Sequence, residues 1–171
     1  MLLRHLLAIT VLPLTVTVLV PLWIANRYGI EPELGRSGGA LLLQASGLAV
    51  LVIGLLLFVS SLGRFATEGK GTLAPWDPPR RLVVHGPYRF VRNPMISGVI
   101  FILAAEAMLL SSVPHALWAL MALVINLVYI PLVEEPGLRA RFGPSYDEYC
   151  RHVPRIVPRL RPWTPDSQEA P

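Results

Sequence analysis

The chain has 171 residues, of which 53% are hydrophobic and only 15% charged, and its formal net charge is +4 at pH 7. A soluble globular domain carries about 25% charged residues, so this balance, with the apolar residues blocked into long runs, points to one integral-membrane domain. The basic excess flanks the apolar runs and carries no nucleic-acid fold motif, which assigns it to anionic lipid and to orientation; the one cysteine, Cys150, excludes an intrachain disulfide and a multi-cysteine metal site.

Residues 6–24 are almost uninterrupted apolar sequence between Arg4-His5 and Asn26-Arg27. A span needs about 20 apolar residues. A cleavable leader would have a shorter apolar core and a small-residue cleavage site, so a retained anchor is expected, kinked at Pro13 and Pro21. A short polar loop with Glu31 and Glu33 leads to a second span, residues 40–61, with Gln44 and Ser46 as polar guests. Residues 62–93 form a long hydrophilic connection containing Gly69-Lys70-Gly71 and the Pro75–Pro79 run, with Trp76 as an interfacial anchor. A third span is expected over 94–110, with Asn93 at the cap and Pro94 at the first helical position. A turn from Ser111 to His115 leads to a fourth span, 116–133, making a helical hairpin. His115 reads as incidental there. After Glu134-Glu135, a short helix from Pro136 to Arg141 ends at Phe142-Gly143. A second runs from a Ser145–Glu148 capping box to about His152, stopped by Pro154.

The fold class is therefore all-α, with about four transmembrane helices and short C-terminal cytoplasmic helices: one domain over 1–163 and a disordered tail over 164–171. If the N-terminus is inside, all 15 basic residues except Arg27 and Arg36 fall inside. Both termini are thus expected in the cytoplasm, the protein sitting in a bacterial inner membrane.

Three groups of residues are candidates for chemistry. Gly86-Pro87-Tyr88 turns into Arg92-Asn93-Pro94 and Gly98, so the start of the third span offers amide N–H groups and partial positive charge to an anionic ligand group, with Arg89 and Arg92 beside it. Ordinary capping with headgroup arginines accounts for the same residues. Glu134 and Glu135 sit at a helix C-terminus, where carboxylates oppose the macrodipole; they call for a cation, an arginine or a charged ligand, or else form a solvated helix end. Phe142-Gly143, Tyr146, Tyr149 and Val153-Pro154-Arg155 form the third group; Tyr146 and Tyr149 share a helix face, as the wall of a pocket or as one side of an amphipathic surface helix. Glu106 is an acid inside the third span, near its external end. No catalytic triad, P-loop or metal-ligand spacing is present.

In order and spacing these groups resemble the isoprenylcysteine carboxyl methyltransferase family, the broad membrane methyltransferase group that includes phospholipid N-methyltransferases. Its pattern, Gly-x-Tyr-x-x-x-Arg-His-Pro-x-Tyr-x-Gly, is met by Gly86, Tyr88, Arg92, Pro94 and Gly98. The following Glu-Glu-x-x-Leu-x-x-x-Phe-Gly-x-x-Tyr-x-x-Tyr and Val-Pro are met by Glu134, Glu135, Leu138, Phe142, Gly143, Tyr146, Tyr149, Val153 and Pro154. The resemblance implies S-adenosylmethionine as methyl donor, held by Leu82, Val83, Tyr88, Asn93, Pro94, Met95, Ile96, Gly98, Glu134, Glu135 and Tyr146. Glu135 and Arg92 then serve the reaction, with His85 as the base for an amine or thiol acceptor. Asn93 stands in place of the family histidine and Ile96 in place of the tyrosine. The apolar stretch Tyr129–Val133 lacks the arginine that prenylcysteine-type members carry one turn before the acids.

The expected partners are a lipid-like or small hydrophobic acceptor (carboxylate, amine or thiol) entering from the bilayer and membrane lipids, with no metal and no nucleic acid. A membrane reductase using a nicotinamide cofactor, of sterol-reductase type, and a non-catalytic membrane scaffold are the alternatives.

Overall fold

The computed structural model describes residues 10–35, 37–64, 67 and 82–164. The first residues of the expected first span, nearly all of the glycine- and proline-rich connection with Trp76, and the tail from 165 lie outside the described residues.

Every regular element among the described residues is helical. The first begins with wide π-type turns over Thr10–Leu19, which contain Pro13, and continues as α1 (Val20–Tyr28), ended by Gly29 in the left-handed conformation. A proline inside a helix removes one i→i−4 bond and forces the local turn open. The kink expected there is therefore a stretch of widened helix. α2 (Gly38–Arg64) follows, then a one-turn 3-10 helix (Gly86–Arg89), α3 (Pro94–Leu109) and α4 (Val113–Tyr129). Pro131 opens α4 into a second π-type stretch, Ile130–Glu134, and the axis carries on directly into α5 (Glu135–Phe142). α6 (Pro144–His152) completes the set.

The helices are packed small side in, large side out. α2 buries Gly47, Gly54 and Ser61 while Leu42, Leu48, Leu56 and Val59 are exposed. On α4, Ala119 and Ala122 are buried and Leu117, Leu120, Val124, Ile125 and Val128 face outward. Such continuous exposed apolar surface on a folded chain marks contact with something other than water. α2 has 27 residues, about 40 Å at 1.5 Å per residue, enough to cross a hydrocarbon core about 30 Å thick. The path Val113–Phe142 meets the same length and apolarity test. α3 is shorter and more enclosed, burying Ile100, Ile102, Leu103 and Ala105.

Close approach of α2 and α3 depends on paired glycines. A Cβ on Gly98 would stand 2.8 Å from the Gly54 carbonyl oxygen and 2.8 Å from the Phe58 nitrogen, and a Cβ on Gly54 would stand 3.0 Å from the Gly98 oxygen. These obstacles are backbone, which cannot step aside. Small residues at membrane helix contacts permit this spacing. Gly98, expected among the cofactor contacts, is thus occupied in helix packing.

α1 is tied to α4 by polar bonds in the apolar layer. Buried His115 lies 2.7 Å from Ser112 Oγ through Nδ1 and 3.2 Å from the Pro21 carbonyl through Nε2. A carbonyl only accepts, so Nε2 carries the proton and Nδ1 accepts from the serine. Trp118 Nε1 donates to the Val16 carbonyl at 3.0 Å. His115 is therefore a structural tie and not an incidental loop residue. Side-chain bonds from α4 thus reach the carbonyls of Val16 and Pro21, near the prolines of the first element.

The capping box expected at Ser145 is absent. α6 starts one residue earlier at Pro144, and the cap position is Gly143 at φ 55°, with no side-chain cap bond. Proline supplies the first helical φ and glycine the positive φ that redirects the chain out of α5. Asn93 does stand at the start of α3, but its side chain does not cap; it bonds elsewhere, as described below. Replacing Gly98 by valine should lower stability by about 1–3 kcal/mol, the usual range for overpacking. Gly63→Ala, facing open space, should be neutral or slightly stabilising. Thermal unfolding in detergent measures both.

Candidate active site

The start of α3, the end of the α4–α5 axis and the chain after α6 meet at one end of the bundle. The corner is built first. Gly86 takes φ 57°, a left-handed turn open to glycine at little cost, and Pro87 fixes the next φ. The Tyr88 amide donates to the His85 carbonyl at 3.2 Å and the Phe90 amide to the Pro87 carbonyl at 3.0 Å. Tyr88 is buried and His85 exposed.

Residues 153–163 then run back over this corner as a strap. The Arg92 amide donates to the Pro154 carbonyl at 2.8 Å and the Asn93 amide to the Arg155 carbonyl at 3.2 Å. Asn93 Nδ2 donates to that same carbonyl at 3.2 Å, and Ser97 Oγ to the Ile156 carbonyl at 2.8 Å. Further along, the Arg159 amide meets the Phe90 carbonyl and the Trp163 amide the Arg89 carbonyl, each at 2.9 Å. Arg89 Nε closes the strap on the Trp163 carbonyl at 2.7 Å. Part of the donor capacity expected at the head of α3 for an anionic ligand is thus engaged by the chain's own carbonyls.

Beside the strap lies Glu135, the first residue of α5 and 2% exposed. Arg155 grips it with a fork, Nε to Oε1 at 2.7 Å and Nη2 to Oε2 at 3.1 Å. Arg92 Nη1 stands 3.1 Å from Oε1, and Arg139, one turn along α5, 4.0 Å from Oε2. Burial alone would raise this carboxyl above its ordinary 4.5. The Arg155 hydrogen bond and the charges of Arg92, Arg155 and Arg139 outweigh burial and hold it below. Its neighbour Glu134, just past the last bilayer-facing residue Val133, is pushed up, by burial first and by the Glu135 charge second. Arg92 also donates to Cys150 Sγ, yet its Nε is buried without a hydrogen-bond partner. A buried donor left unpaired costs about 1–3 kcal/mol, so this guanidinium is held in place at a cost.

The floor is aromatic. Tyr146, Tyr149 and Val153 form a buried cluster with Leu82, Val84, Leu138, Phe142 and Trp163 packed on it. Tyr149 Oη donates to the Tyr88 carbonyl at 2.7 Å, fastening α6 to the corner. Burial pushes both phenols up, so they stay neutral. Trp163 stacks on His152 with ring centroids 5.6 Å apart and planes within 9°.

Several expected site residues are therefore brought together: Leu82, Tyr88, Arg92, Asn93, Glu135 and Tyr146 belong to one connected cluster, with buried Val83 and Pro94 and half-buried Met95 on the corner itself. Ile96 packs instead against the core of Ile100, Leu103, Ala119 and Ala122. Glu106 lies toward the other end, where a cleft of about 280 Å³ is lined by Glu31, Glu33, Gln44, Leu110 and Ser111. Gln44 braces that end, donating to the Glu33 and Leu109 carbonyls at 2.7 and 3.1 Å. Trp163 joins the site without having been expected in it. Arg155, grouped in the sequence with Val153-Pro154 and the two tyrosines, proves to be the partner of Glu135.

Glu135→Gln should destabilise the protein by about 3 kcal/mol, because removing one partner leaves buried cationic charge uncompensated. Since the folded carboxyl sits below 4.5, its contribution is present above that pH and is lost as pH falls through the lower folded value. Melting temperature in detergent should thus drop below about pH 4.5 in the native protein and respond less in Glu135→Gln.

Residues 42–145 match the model of the phospholipid methyltransferase family. A 73-residue stretch, 43% of this chain, is 41% identical to methanethiol S-methyltransferase 2 of Bradyrhizobium diazoefficiens, of which it covers 27%. This chain therefore corresponds to about a quarter of that relative's length. No solved structure matches. Because the family match runs from the first turns of α2 to the start of α6, more than half of the protein, the chain belongs to the phospholipid methyltransferase family.

Proposed function

We propose that this chain is an integral-membrane methyltransferase that uses S-adenosylmethionine and acts on a lipid-like or small hydrophobic acceptor. The observation that carries the reading is the 3.1 Å approach of Arg92 to Glu135. It joins the two distant segments in which the family pattern is met, beside the Tyr88 corner. The residues present fit a ligand bearing both signs of charge. Glu134, raised by burial and by its neighbour, gains from a nearby cation, and the unpartnered Arg92 Nε gains from an anionic oxygen. Met95, on the corner, offers apolar surface at the bilayer edge.

When bound, S-adenosylmethionine supplies a methyl group on a sulfonium, open to in-line displacement. The chain's own work is to hold and align. Glu134 holds the cationic side, Arg92 binds the carboxylate side through charge-assisted hydrogen bonds, and the aromatic floor and strap exclude water. Alignment of donor and acceptor is worth several kcal/mol. In this reading His85, exposed beside the Gly86 turn, is the base for an amine or thiol acceptor. The charge asymmetry supports a cytoplasmic position for this end, in our reading at a bacterial inner membrane.

Membranes carrying the protein, incubated with methyl-labelled S-adenosylmethionine and a panel of phospholipid amines, isoprenoid acids and small thiols, should transfer label to one class. Arg92→Ala should reduce transfer roughly 100-fold, the scale for removing a buried charged donor. Glu134→Gln should weaken donor binding by about tenfold. Purified protein that binds a reduced nicotinamide cofactor and not the methyl donor would overturn the reading.

A further inference from the structure

Arg155 holds both halves of the site at once. Its guanidinium forks Glu135 at 2.7 and 3.1 Å, while its carbonyl accepts from the Asn93 amide and Asn93 Nδ2, each at 3.2 Å. The first contact reaches the end of the α4–α5 axis; the second reaches the head of α3. No helix carries Arg155. It lies on the strap, pinned on either side by the Pro154, Ile156 and Phe90 carbonyls.

This has a consequence for Glu135. With both oxygens engaged and 2% exposure, the carboxylate is not open to a ligand cation. Its remaining role is to fix Arg92, whose Nη1 shares Oε1 with Arg155 Nε. Held this way, the Arg92 guanidinium is fixed with Nε buried and without an acceptor, while its side chain keeps 10% exposure. The charged and titratable groups facing Glu135 are Arg92 from the corner, Arg155 from the strap, Arg139 and Glu134 from its own axis, and Tyr146 and Cys150 from α6.

We propose that Arg155 is a positioning residue of the site: acting through Glu135, it sets the Arg92 guanidinium that touches the ligand, and the strap it rides on is part of the binding machinery. The proposal rests on the methyltransferase reading above and names a residue that neither the family pattern nor the helix scaffold supplies. A guanidinium is required there because only a planar fork engages both carboxylate oxygens while leaving Arg92 its own approach to Oε1. Lysine, a single point charge, meets one oxygen.

The test compares the full-length protein with Arg155→Gln, Arg155→Lys and, as a control on the same segment, Arg161→Gln at an exposed position. Two quantities are read: affinity for S-adenosylmethionine by titration calorimetry in detergent, and the pH dependence of thermal unfolding without ligand. Arg155→Gln should weaken donor affinity at least roughly tenfold, the scale of a hydrogen bond to a charged group. It should also move the acid limb of ligand-free stability to higher pH, as Glu135 loses the hydrogen bond and charge of Arg155 that hold its carboxyl down. Arg155→Lys should fall between native and Arg155→Gln in both, and Arg161→Gln should match the native protein. If Arg155→Gln does not fold, Arg155→Lys decides. A native-like donor affinity and acid limb in the folded Arg155 variant would overturn the positioning role alone. Native protein that binds no donor would overturn the methyltransferase reading, and this proposal with it.

Discussion

One buried carboxylate sets the terms for the functional end of this molecule. Burying Glu135 is costly unless the charge is paired and both oxygens are hydrogen-bonded. The chain meets that demand by drawing one arginine from the corner before α3 and another from the strap after α6. Arg92 stands just ahead of α3, whereas no long helix holds the segment of Arg155. The corner and the strap are positioned by each other, through carbonyl and amide groups exchanged between residues 89–97 and 154–163. The ion cluster and this backbone lacing are interdependent: loosening the strap exposes the carboxylate, and neutralising the carboxylate frees the strap. A buried ion pair adds little net stability compared with an apolar replacement of the same volume, so its presence here fits a demand for fixed geometry.

The helix bundle supplies the frame on different physics. In a bilayer, large apolar side chains gain nothing by leaving lipid for a protein interior, so close contact of backbones is what association can improve. Gly54 and Gly98 permit it between α2 and α3. His115 and Trp118 add polar ties from α4 to the α1 side, answering carbonyls at Pro21 and Val16 near the two prolines of that element. The tight, small-residue seam delivers Asn93 and Arg92 to the membrane edge at a set height. The π-type opening at Pro131 lies where Glu134 and Glu135 emerge. Rigidity in the apolar layer and polar lacing at its edge together hold the constellation.

Much of this was legible in the residues alone. Run lengths placed the α2, α3 and α4 segments within a few residues of their helices, because apolar length is a direct reading of bilayer thickness. Spacing of Gly86, Tyr88, Arg92 and Pro94, and of Glu134 through Tyr149, identified the family, because these positions are local to one turn or one short helix. Glycine and proline marked turns correctly at Gly86 and Gly143, where a positive φ is needed. Ser145 was misread: a capping box and a Gly-Pro helix start compete at the same place, and proline's fixed φ won.

The sequence by itself determined an all-helical membrane frame, its hairpin, its charge asymmetry and the two segments that carry the family pattern. Tertiary structure alone decided which of those residues do which work. It put Gly98 into a helix seam, turned His115 into a tie, closed both oxygens of Glu135 and left Arg92 Nε unanswered. Arg155 meets Glu135 at a separation of 20 positions and Asn93 at a separation of 62. Periodicity and spacing report what lies within a turn or two along the chain; an ion pair between segments that distant depends on where the whole chain brings them.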